Sequence, residues 1–168
     1  MKPLKNIKKS VMEIASLLAQ DPILVKLVYN DGADALEHDV PSAVDLNYLI
    51  QNHYISVFPP VENRIEEYDR NTFLSILLDQ ILPSTEPNIR GNFIIYVSTT
   101  ESELLISDNR NRLLEICDRI IHILQNTKLS AVGTINITSI SHVMLSEFHT
   151  AYRINLNISD QATVKGEM

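Results

Sequence analysis

Residues 108–126, DNRNRLLEICDRIIHILQN, decide the fold of this chain. Leu113, Cys117, Ile120 and Leu124 recur at three- and four-residue steps, which gathers them on one face of a helix. Leu114, Ile116, Ile121 and Ile123 widen that face. A stripe this broad implies burial on more than one side, one against a sheet and another against the N-terminal helix or a further subunit. Ser107 or Asp108 is the expected cap. Each such side chain contributes ~1.5–3 kcal/mol when buried, so this helix is expected to anchor the core.

Two strand-like runs precede the helix and two follow it. In Thr72–Leu82, Thr72, Leu74, Ile76, Leu78, Gln80 and Leu82 share one face, and Phe73, Ser75, Leu77, Asp79 and Ile81 share the other. Asn92–Ser98 is nearly continuously apolar, as in a central strand covered on both faces. After the helix, Ala131–His142 alternates from Gly133 onward, and Met144–His149 reads as a turn. Thr150–Ser159 alternates as a half-exposed antiparallel strand should. The order strand–strand–helix–strand–strand predicts an α+β fold. A mostly antiparallel sheet of four to five strands packs against a long central helix, 108–126, with further helices at the N-terminus.

Those helices are legible too. Ile7, Val11, Ile14, Leu17 and Leu18 make one apolar stripe over residues 4–20. Asp21-Pro22 then restarts the chain, with Asp21 as a cap and Pro22 at the first helical position, for a short helix Pro22–Val28. Tyr29–Val44 reads as irregular, and Ser42 or Asp45 caps a short helix near Leu46–Asn52. His53–Phe58 alternates as a strand that Pro59-Pro60 must end. Residues 61–70 are polar and carry Glu62, Glu66, Glu67 and Asp69 against Arg64 and Arg70. They are either a solvated loop or an extended arm that contacts a neighbour or lines a channel. Asp160–Met168 lacks a pattern and is expected to be a flexible tail, leaving residues 1–159 as a single domain.

With 168 residues, 45% of them apolar, the chain has material for one ordinary domain with a real core. No apolar run approaches the ~20 residues of a membrane helix, which predicts a soluble protein without membrane association. The basic opening Met1–Lys5 is followed by a stretch broken by Lys8, Lys9 and Glu13, so it reads as an amphipathic helix rather than a signal peptide. A net charge of −7 argues against a strong nucleic-acid binder, which normally presents a basic face.

Catalytic chemistry has little support. Cys117 lies on the apolar stripe, where a thiol is structural rather than nucleophilic. A single cysteine also excludes an internal disulfide and a multi-cysteine zinc site. His142, Glu147 and His149 form the one close His/acid cluster, but they flank a turn and a third strong ligand is not evident. The four glycines stand apart, so no phosphate loop is formed. The reading is a non-enzyme without metal or cofactor.

The order of elements resembles the neck proteins of tailed bacteriophages, the tail-terminator or tail-to-head joining family. The resemblance runs through KKSVMEIASLLAQDPILVKLVYNDGADAL (8–36), NTFLSILLDQI (71–81), NFIIYVSTT (92–100), NRLLEICDRIIHIL (111–124) and SAVGTINITSISHVMLSEFHTAYRINLNIS (130–159). It implies a structural virion protein, assembled in the host cytoplasm, that forms a homohexameric ring at the head–tail junction. Such a ring ends the tail tube, joins it to the neck and lets DNA pass without gripping it. The implied partners are further copies of the chain, a tail tube protein and a neck or connector protein. Under this resemblance Glu62, Arg64, Glu66, Glu67, Asp69 and Arg70 are candidates for a lumen or inter-subunit arm, the acidic ones repelling phosphate. Tyr152, Arg153, Asn155 and Asn157 are candidates for an edge-strand interface. The alternatives are a head-completion (neck adaptor) or tail tube-like protein and, from a different class, a small intracellular binding module.

Overall fold

A computed structural model of the protein describes residues 3–57, 71–82, 90–130 and 133–159. The acidic segment 61–70, with Glu62, Arg64, Glu66, Glu67, Asp69 and Arg70, and the tail 160–168 lie outside the described residues.

The helices are α1 (Pro3–Ala19), α2 (Pro22–Tyr29), α3 (Leu46–Gln51) and α4 (Arg112–Leu124). Asp21 caps α2 by accepting a hydrogen bond from the Leu24 N–H at 2.7 Å, with Pro22 in the first turn. Asp45 caps α3 in the same way, through Tyr48 N–H at 2.8 Å. Asn111 caps α4, through Leu114 N–H at 3.2 Å.

The strands are β1 (Ile55–Ser56), β2 (Thr72–Leu82), β3 (Arg90–Thr100), β4 (Leu105–Ile106), β5 (Arg110–Asn111), β6 (Lys128–Leu129), β7 (Gly133–Met144) and β8 (His149–Ser159). Six of them form one sheet in the order β1-β2-β3-β8-β7-β6, and β4 and β5 pair apart from it. β1 runs parallel to β2, and the other neighbours are antiparallel. The sheet is therefore mixed, and it curls into a half-barrel.

This corrects the expected architecture of four to five antiparallel strands on a long central helix over 108–126. The helix has 13 residues and shares its layer with α1, α2 and α3. The difference at its start is local. Asp108 and Asn109 both hold left-handed backbone, φ 65° and 57°. Short polar side chains tolerate that conformation far better than others do. The two residues turn β4 back into β5, so the helix begins only after Asn111. Asn126, at φ 64°, ends it by the same means. β1 falls inside the expected strand His53–Phe58, shortened to two residues and paired parallel to β2, whereas β6, also of two residues, is too short to show a period of two in the sequence.

One sheet face meets the helices. Leu74, Ile76, Phe93, Ile95, Ile154, Leu156 and Ile135 pack there with Leu24, Leu27, Leu113, Ile116, Ile120 and Leu124 in one cluster. Register places Leu74, Val97 and Tyr152 side by side, and likewise Ile76, Ile95, Ile154 and Ile140. On the opposite face Phe73, Ser98, Ala151 and Val143 form a cross-strand row, and the first three are buried. Gly133 opens β7 at φ 115°, a conformation closed to most side chains.

Candidate assembly surface

The functional residues expected from the sequence fall on three different settings. Tyr152, Arg153, Asn155 and Asn157 belong to β8, which pairs with β3 on one side and β7 on the other. β8 is an interior strand, so the expectation that it forms an edge is corrected. These residues offer side chains, not free backbone groups: Tyr152 on the helix-facing side of the sheet, and Arg153, Asn155 and Asn157 on the opposite face. All four are half-buried. Arg153 Nε donates to Asn155 Oδ1 at 3.0 Å, and Asn155 Nδ2 donates to Ser139 Oγ at 2.7 Å. Tyr152 meets the His142 ring edge-on, centroids 5.6 Å apart.

The His/acid cluster stays apart. His142 Nε2 bonds the Thr150 hydroxyl at 2.7 Å, on the exposed side of the hairpin. His149 is buried, with its ring 5.8 Å from that of Phe73. No three potential ligands among the described residues gather as a metal centre would need. Cys117 is buried in α4, and burial pushes its thiol up to about 12, which leaves it protonated and unreactive at neutral pH.

The edge of the sheet lies at β7 instead. β6 covers only its first residues, Gly133 and Thr134. Two further groups cap the next turn of the ladder. Ile135 exchanges backbone bonds with Asn126 and Thr127 at 2.9 Å each, and Ile137 N–H donates to Gln125 Oε1 at 2.8 Å. A bulge at Thr138 follows, where the register with β8 shifts between Ile137 and Ser139. From Thr138 to Met144 the strand is exposed except for a half-buried Val143. Ile140, Met144 and, in the turn, Phe148 expose 38%, 70% and 66% of their surface.

Four more apolar side chains are exposed outside the large sheet: Met12 in α1, Ile23 in α2, Leu105 in β4 and Leu114 in α4. An open groove of about 510 Å³ lies between the end of α1, the start of α2 and residues 39–44. Its two charged groups satisfy each other, Lys26 Nζ standing 3.0 Å from Asp39 Oδ1.

One residue escaped the sequence reading altogether. Arg112, at the first turn of α4, has no exposed surface. Its Nη1 donates to the carbonyls of Leu27 at 3.0 Å and Asn30 at 2.7 Å, and its Nη2 donates to the Gly32 carbonyl and pairs with Glu103 at 3.2 Å. Glu103 in turn accepts the Gly32 N–H at 2.5 Å. Burial lowers the guanidinium's pKa, and the charges of Glu103 and Asp31 oppose that shift. A fork of donors suits a helix C-terminus, where carbonyls lack partners. Arg112 thus ties the end of α2 to the start of α4. The Gly32 hinge, at φ 85°, was visible as a turn signal, but its partner 80 residues away was not.

No curated protein matches the chain. The model of one family, YomW, matches residues 21–158, which span α2 through β8. That is most of the chain and includes both ends of the sheet. The chain therefore belongs to the YomW family, whose name is that of a Bacillus phage-derived protein, and is phage-related.

Proposed function

We propose that the protein is a structural virion component of a tailed phage: a tail terminator that assembles as a hexameric ring at the head–tail junction and acts by assembly rather than catalysis. The observation that carries this reading is the succession β2, β3, α4, β7, β8, with the four long strands adjacent in the sheet. It is the strand–strand–helix–strand–strand module on which the resemblance to neck proteins rests, in a chain that is phage-related. The exposed apolar side chains Met12, Ile23, Leu105 and Leu114 add surface for a neighbouring subunit to cover. A ring closes when one patch meets a different patch on the next copy by rotation.

Mixing the protein with tail tube protein separates the finer roles. A terminator caps tubes at one end and fixes their length, as negative-stain images will show. A tube-like subunit polymerises by itself. A head-completion protein leaves tubes untouched and binds the connector. Tubes of unchanged length, bare at both ends, would contradict the terminator reading.

A further inference from the structure

Among the described residues, no strand lies beside the outer edge of β7 after Thr134. Capping continues as far as Ile137, through Asn126, Thr127 and Gln125, and stops at the bulge. Ladder alternation then says which groups point outward. Ile135 and Ile137 direct their bonds away from β8, and the bulge at Thr138 adds one residue. The next outward-facing N–H and C=O groups therefore belong to Ile140, His142 and Met144. What fits such an edge is an extended strand, because only a strand offers backbone groups at the same repeat.

Sheet edges are usually blunted by charge, proline or a bulge. The other edge follows that rule: β2 is covered at Leu74 and Ser75 by parallel β1, buries Ile76 fully, and then carries a bulge with the exposed Asp79. Beyond its bulge β7 does not. Thr138–Met144, TSISHVM, contains no Asp, Glu, Lys, Arg or Pro. Its chemistry is also symmetric about His142. Ile140 and Met144 lie two residues to either side, on the same sheet face, and both are exposed. In an antiparallel pair centred on His142, Ile140 of one copy faces Met144 of the other, and all outward groups are matched. A chain of charge −7 repels its own copies, and this uncharged edge is where two of them approach at least cost.

We propose that β7 is a two-fold self-association site: residues Ile140–Met144 of two copies pair as antiparallel strands and join their sheets into one. This goes beyond the ring reading. It joins two protomers, or two rings back to back.

The test is the molar mass of the full chain by light scattering over a range of concentrations, for the wild type and two variants. Ile140→Lys with Met144→Lys places charge on both flanks of the contact. His142→Pro removes one outward N–H and leaves the ladder to β8 intact. Circular dichroism and thermal melting establish that each variant is folded. The inference expects an even-numbered wild-type assembly whose mass halves in both variants. A folded variant with unchanged mass, or a wild type of odd number, overturns it. A six-membered ring indifferent to both variants would overturn this inference and leave the ring reading standing. A dimer that becomes monomer would do the reverse.

Discussion

Arg112 shows how much of this fold hangs on single contacts. A buried guanidinium is costly unless its donors are matched, and here three carbonyls and a carboxylate match the two terminal nitrogens, while the buried Nε has no hydrogen-bond partner among the described residues. Arg112→Met should destabilise the protein by about 3–5 kcal/mol, because it leaves the Glu103 carboxylate and the α2 carbonyls without their partner. Denaturant midpoints measure this. Arg112→Lys should recover only part of the loss, since one ammonium cannot span the same fork.

Asp21 carries two duties, as the α2 cap and as the partner of Arg119. Burial raises its pKa, but the Arg119 pair and the Leu24 N–H outweigh that, and the net position is below 3.8. A carboxylate depressed in the folded state stabilises fully above its unfolded pKa and loses that contribution as pH falls through the folded one. Asp21→Ala should therefore cost about 1–2 kcal/mol at neutral pH. The difference from wild type should shrink steadily below about pH 4. Asp21 was readable as a cap from Asp-Pro alone. Its ion pair was not, because 98 residues separate it from Arg119.

At the scale of elements, period decides what is legible. The long strands β2, β7 and β8 show alternation over many residues and β3 a nearly continuous apolar run, and the sequence reading places all four within two residues of their bounds. α1, α2 and α3 show stripes or caps and are placed nearly as well. β1 lies within the alternating run His53–Phe58, but its parallel pairing with β2 leaves no trace in the pattern, and β6 is set by tertiary pairing alone, so the mixed sheet is not legible in the sequence. β8 was mistaken for an edge for a related reason: its half-buried alternate residues look solvated in sequence, yet β7 lies beside them. Asp108 and Asn109 read in sequence as a helix start, but their left-handed backbone makes a turn and the helix begins at Arg112. Asn109→Gly should be tolerated and Asn109→Val should cost roughly 1–2 kcal/mol, the penalty for a branched side chain in that conformation. In α4, Ile120 is fully buried against the sheet side of the core. Ile120→Ala should lose about 2–5 kcal/mol in chemical denaturation.

Across the whole molecule, the proposed ring turns on surfaces rather than a reactive centre. Glu62, Glu66, Glu67 and Asp69 are our proposed lumen residues. Replacing them with lysine should slow DNA ejection from assembled particles, since a basic lumen holds the phosphate backbone that an acidic one repels. Ejection at the wild-type rate would contradict that assignment. Quaternary arrangement was the least legible level in the sequence. A contact between copies leaves no periodic trace, and an exposed residue such as Leu114 looks like a core position until the fold turns it outward.

The most direct test of the central claim is the oligomeric state of the purified protein, alone and with tail tube protein, by light scattering and negative-stain imaging. The account predicts six-membered rings with a central opening, free or on tube ends. A protein that remains a monomer and leaves tubes unbound would contradict it.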